Sequence, residues 1–202
     1  MTMRLAMPDW VRRLPLDRPD LAVREYAEIV AALRDAPAID LEGLATEAVE
    51  SALDAGAVLL AVVTAPDAAP AVLTGIPLDA TCGPETAAVL RDSMEDVGGP
   101  DVRETVVLDT GCGPVVVAQR VPGVEQARSR RPLALQLQAF VPDPDSGRTL
   151  LLTLASPSSR GWLSHQLLFG QMVASATPDQ QVTVPDVPEE PETSYETHTY
   201  RL

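Results

Sequence analysis

Three features of this 202-residue chain predict an α+β fold built on a mainly antiparallel sheet. Two apolar-rich runs, Leu133–Val141 and Thr149–Ala155, flank the polar turn Pro142-Asp143-Pro144-Asp145-Ser146-Gly147, the pattern of a β-hairpin. A second pair of strand-like runs, Val102–Leu108 and Pro114–Val121, flanks the glycine-rich turn at Asp109–Gly113. The remaining apolar segments recur mostly at helical spacing. The chain is 46% hydrophobic, so it can bury a core, and with aromatics at 3% that core must be filled by leucine, valine and alanine.

In chain order, Trp10–Leu16 reads as a short amphipathic run of edge-strand type, because Pro15 lacks a donor. Asp17 or Asp20 can cap a helix over Leu21–Leu33, which Asp35-Ala36-Pro37 ends. A second helix starts at Asp40 and places Leu41, Leu44, Ala48 and Leu53 on its apolar side; Gly56 stops it. Ala57–Thr64 is apolar on both faces and reads as a buried strand, with Ala71–Ile76 as its partner. Pro84 suits a first helical position, and Glu85–Val97 follows as a helix that Gly98-Gly99-Pro100 terminates. Val124–Arg131 is a polar connector. In the hairpin after it, Leu133, Leu135, Leu137 and Ala139 alternate with Ala134, Gln136, Gln138 and Phe140, as expected of a sheet covered on one side. Ser158 or Ser159 caps a last helix, whose Trp162, Leu163, Leu167, Phe169 and Met172 should dock on the apolar face of that sheet. The expected division is an N-terminal helical extension over 1–56, a main domain over 57–176 and an acidic, proline-rich C-terminal tail over 177–202. Such a tail buries too little apolar surface to offset its ordering entropy. A short strand at Val182–Val184 or an ordered Tyr195–Leu202 segment is compatible with it.

The formal charge is −14, and all 15 basic residues are arginine, a composition suggestive of a GC-rich genome such as an actinomycete's. So acidic a chain repels phosphates and anionic membrane surfaces, which sets nucleic acid and membrane aside as partners. The start lacks the apolar region of a signal peptide, and no apolar run is long enough to span a bilayer. The expected location is cytoplasmic, with the two cysteines as thiols.

The turn VPDPDSGR, the strand LLLTLASPS and a following helix containing Trp162 and Phe169 resemble the PsbP-like superfamily, which includes the LpqN-type lipoproteins. The order before them, a helix at 85–97 and strands at 102–108 and 114–121, is also similar, so the resemblance covers about residues 57–176. It implies an α/β/α sandwich with a central sheet. It also implies a binding or assembly factor rather than an enzyme, with no shared catalytic set to carry over. The chain departs from the lipoproteins in lacking a signal peptide and lipobox cysteine.

Candidate chemistry is sparse. Cys82 and Cys112 each sit in a Cys-Gly-Pro context and form the one motif for a redox pair or thiol nucleophile. Neither His165 nor His198 is linked to them by spacing, so small turn residues are the stronger reading. Asp143, Asp145 and Gly147 resemble the start of a calcium loop but lack its distal ligands, and hairpin chemistry accounts for them better. His165 has no acidic or cysteine partner one helical turn away and reads as structural or exposed. Arg128, Arg130 and Arg131 form the basic cluster of a solvated connector. The glycines at 98–99 and 111–113 match no dinucleotide or phosphate loop. Two separated cysteines and two separated histidines make no metal cluster. The expectation is no catalytic, cofactor-binding or metal residue. The chain then acts as a non-enzymatic accessory, chaperone or assembly factor with a protein partner, in the setting of a specialised secretion or toxin system if the suggested host is right. A thiol-dependent enzyme using Cys82 or Cys112 is the alternative.

Overall fold

The computed structural model of the chain describes residues 2–34, 41–97, 101–122, 134–144, 146–178 and 195–201. The strands are β1 (Thr2–Pro8), β2 (Val11–Arg13), β3 (Leu59–Val63), β4 (Ala71–Leu78), β5 (Val102–Thr110), β6 (Gly113–Arg120), β7 (Leu135–Asp143), β8 (Arg148–Ser156), β9 (Thr177–Pro178) and β10 (Tyr195–Arg201). The helices are α1 (Pro19–Arg34), α2 (Glu42–Asp54), α3 (Pro84–Val97) and α4 (Trp162–Ala174). A seven-stranded sheet runs β2-β3-β4-β8-β7-β6-β5, every neighbouring pair antiparallel. A smaller sheet, β10-β1-β9, is also antiparallel. This is an α+β architecture.

Alternation along the strands divides the core. Leu59, Ala61 and Val63 point to one face, with Leu73, Val115, Leu137, Ala139, Val141, Leu150, Leu152 and Leu154. That face is covered by Leu168, Phe169, Met172 and Val173 of α4 and by Met3, Leu5 and Met7 of β1. Leu60 and Val62 point the other way, into a cluster with Ala22, Tyr26 and Ile29 of α1 and Ala45, Val49 and Ala52 of α2. On that same second face, Ala87 and Met94 of α3 pack on Val116 and Ala118, with Phe140 alongside. A strand apolar on both faces needs cover on both, which is why Leu59–Val63 reads as it does.

Several expectations are corrected. The sheet is covered on both faces, not one: α1, α2 and α3 pack on the face that carries Phe140, where Gln136 and Gln138 are half-buried. Met3, Leu5 and Met7 form a buried strand in a stretch given no element by periodicity. In α2 the buried residues are Ala45, Val49 and Ala52, while Leu44 and Leu53 are exposed. Neither Ser158 nor Ser159 caps α4. The N-cap is Gly161, with φ of 70° and no side-chain cap, and Ser158 Oγ instead accepts from the Arg160 N–H two residues on. A Cβ at Gly161 would lie 2.4 Å from Ala68 Cα, so the β3–β4 loop leaves no room for a side chain there. Leu163 and Leu167 do not dock on the sheet but face outward.

Within the stretch read as an acidic tail, Thr177–Pro178 and Tyr195–Arg201 are strands flanking β1. Within the stretch read as a helical extension, β2 pairs with β3 and so belongs to the main sheet. The helix stop at Gly98-Gly99-Pro100, the connector with Arg128, Arg130 and Arg131, Asp145 and the segment 179–194 lie outside the described residues.

Candidate functional site

The large sheet has two outer strands, and they differ. β2 is three residues long, and its chain leaves through Leu14 and Pro15. Short edges of this kind offer little to pair with. β5 is nine residues long and is bonded on one side only, to β6. Its register shifts between Val102 and Glu104, a bulge at Arg103, and then runs evenly from Glu104 to Thr110. Among the described residues nothing pairs with its outer side. Val106 and Val107 point to opposite faces of the sheet, and each is 39% exposed.

Helix α4 supplies the wall beside this edge. His165, Leu168, Phe169, Met172 and Val173 face the core. Leu163, Gln166, Leu167 and Gly170, spaced at i, i+3, i+4 and i+7, share another stripe. Leu163 is 67% exposed and Leu167 60%. Between this stripe and β5 runs a groove of about 250 Å³, lined by Glu104, Val106, Leu108, Val117, Leu137 and Phe169 among others. Its floor is held by Gln166 Nε2, which donates to Gln119 Oε1 at 2.6 Å. The groove and the exposed leucines make an apolar strip beside unpaired backbone donors and acceptors.

The other side of β5 is acidic. Thr105 Oγ1 donates to the Glu95 carboxylate of α3. Asp92, Glu95 and Asp96 are exposed on α3, Asp101 precedes β5 and Asp109 shares the face of Thr105, while Glu104 points to the groove side. Arg91, paired with Asp92 at 2.7 Å, and Arg103 are the cations in these two segments. Over 84–97 and 101–110 the chain thus carries seven carboxylates against two guanidiniums, with Arg120 of β6 on the α3 face opposite Val102.

The residues singled out by sequence lie elsewhere. Cys82 and Cys112 are both free thiols. They line one cleft of about 660 Å³ at the end of the sheet, with Glu85, Asp143 and Arg148. Their side chains join different apolar clusters on opposite faces of the sheet, Cys112 with the α4 side and Cys82 with the α3 side. Burial pushes the Cys82 thiol up from its ordinary value, with a hydrogen bond from Thr86 opposing, so it is not an activated thiolate. No histidine is among the residues lining the cleft. Asp143 serves the β7–β8 turn: its carboxylate accepts from Ser146 Oγ at 2.6 Å and its carbonyl from the Gly147 N–H at 3.0 Å. Among the described residues no group of three or more His, Cys, Asp or Glu could hold a metal ion. His165 is fully buried. Gly111 lies in the β5–β6 turn and Gly113 opens β6.

Helical spacing puts Leu163 and Leu167 in the core, whereas both are exposed, so the β5–α4 surface has no signal in the sequence pattern. Comparisons with protein-family models, with curated proteins and with solved structures find no match. Among the described residues no helix is long and apolar enough to cross a membrane.

Proposed function

We propose that this chain is a non-enzymatic interaction module, an accessory or assembly factor of PsbP-like build, which holds a protein partner along β5 and α4. The observation that carries the reading is a long, singly bonded strand with a valine exposed on each face, next to a helix with two leucines more than half exposed. Beyond the bulge at Arg103, an open edge with apolar side chains exposed on both faces is a template for pairing with another strand. Helices on both faces of an antiparallel sheet support the PsbP-like part of the proposal.

The thiol-dependent alternative is less well supported, since the Cys82 thiol is shifted up and no histidine lines the cleft. One experiment separates the two. The tagged chain is used to capture partners from lysate of its native host, in parallel with Leu167→Glu and Cys82→Ser. The module reading expects a partner that Leu167→Glu loses and Cys82→Ser keeps. The reverse pattern, or capture indifferent to Leu167→Glu, overturns it.

A further inference from the structure

We infer that the segment received by β5 is an extended strand in which apolar and basic residues alternate. The inference rests on the proposal that β5 is the docking edge, and it specifies the chemistry of the occupant. A strand added to an open edge sends successive side chains to opposite faces of the sheet. On the α4 face those side chains meet Val106, Leu108 and the groove beside Leu163 and Leu167, which calls for apolar residues. On the α3 face they meet Thr105, Val107 and Asp109, with Glu95 above, which calls for arginine or lysine. Glu104 lies at one end of the groove and accepts a further cation there.

Charge chooses among possible occupants. A second copy pairing through its own β5 brings two acidic edges together, each with seven carboxylates against two arginines over 84–97 and 101–110. Like charges across a strand pair are destabilising, so the edge is unsuited to itself. The chain's segment 179–194 has the same defect, carrying Asp179, Asp186, Glu189, Glu190 and Glu192. A basic partner strand gains from the same field in both encounter rate and specificity.

The test uses the unaltered full chain and short synthetic peptides long enough to cover Glu104–Thr110. One alternates arginine with valine, one alternates glutamate with valine, and one is the arginine peptide N-methylated along both edges. Binding is read by fluorescence anisotropy at low and high salt, and hydrogen exchange reports which amides become protected. The arginine peptide should bind about tenfold or more tightly than the glutamate peptide and weaken as salt is raised. It should slow exchange in β5, and its N-methylated form should fail. Equal binding of the N-methylated peptide reduces the effect to charge adsorption and overturns strand pairing. Equal binding of the glutamate peptide overturns the basic specificity while leaving β5 as the docking edge. Failure of all three, alongside a captured partner that Leu167→Glu loses, overturns the basic strand but not the interaction module. A dimer in sedimentation that Val107→Glu dissociates shows a second copy to be the occupant and overturns the inference.

Discussion

The ring of His165 holds the backbone of Ala69: Nε2 donates to the Ala69 carbonyl across 2.8 Å. A carbonyl can only accept, so the proton sits on Nε2 and the neutral ring is one defined tautomer. The Ala69 N–H in turn donates to the Arg160 carbonyl at 2.9 Å. Both polar groups of one loop residue are therefore bound by the start of α4.

This arrangement predicts a pH response. Burial lowers the His165 pKa from its ordinary 6.5, with the Ala69 contact opposing. The unfolded chain then binds the proton more readily than the folded one. The contribution to stability is complete above about pH 6.5 and is lost as pH falls through that value towards the lower folded pKa. Urea unfolding followed from pH 7.5 downward should show a falling midpoint, and His165→Gln, which keeps a donor without titrating, should flatten the change above pH 5. Parallel profiles for the two proteins would remove His165 as the cause.

Two glycines should respond oppositely to alanine. Gly161→Ala places a Cβ 2.4 Å from Ala68 Cα at a positive φ, so the loop or the helix start must shift. A cost of about 2 kcal/mol or more is expected, above the usual effect of a glycine cap. At Gly43 in α2 a Cβ meets nothing within 4 Å, and alanine should stabilise by about 0.5–1 kcal/mol. Denaturant midpoints measure both.

Positions 163, 167 and 169 of α4 should separate stability from binding. Phe169 is 1% exposed within the main core, and Phe169→Ala should cost about 3–5 kcal/mol. Leu163→Ala and Leu167→Ala should stay within about 0.5 kcal/mol of the parent. Thermal unfolding of the three variants decides it: a large loss at Leu167 would mean that the side chain is packed rather than displayed.

The thiols should label slowly and unequally. Cys112 is buried and Cys82 half-buried. A maleimide should react first at Cys82, at a rate still climbing above pH 9 because burial holds its pKa above the ordinary 9.0. Both should react at once in urea. Rapid labelling at neutral pH would revive the case for a reactive thiol.

Much of this fold was legible because its elements carry strong periodicity and clear stops. Pro84 begins α3, and Leu59–Val63 declares a strand buried on both faces. What escaped was direction. Helix α4 is apolar on nearly every side, so spacing alone could not tell Leu168 and Phe169, which face the sheet, from Leu163 and Leu167, which do not. His165 further masked the buried stripe by interrupting it with a polar residue whose partner lies on a distant loop. The β1 alternation of Met3, Leu5 and Met7 was readable but short, and its partners lie far away in the chain. The candidate surface was invisible for a related reason: a strand's lack of a neighbour is a property of sheet order, not of its own residues.

That distant pairing has a consequence for how the molecule is made. Thr2 lies opposite Arg201, and Pro8 opposite Tyr195. At ribosomal speeds, on the order of 10–40 s passes between synthesis of the earlier strand and arrival of the later one. Throughout that interval Met3, Leu5 and Met7 have backbone neighbours still to be translated. Among the described ladders this one closes last, so a nascent chain is exposed to chaperones and to mispairing at β1 long after its central sheet can assemble.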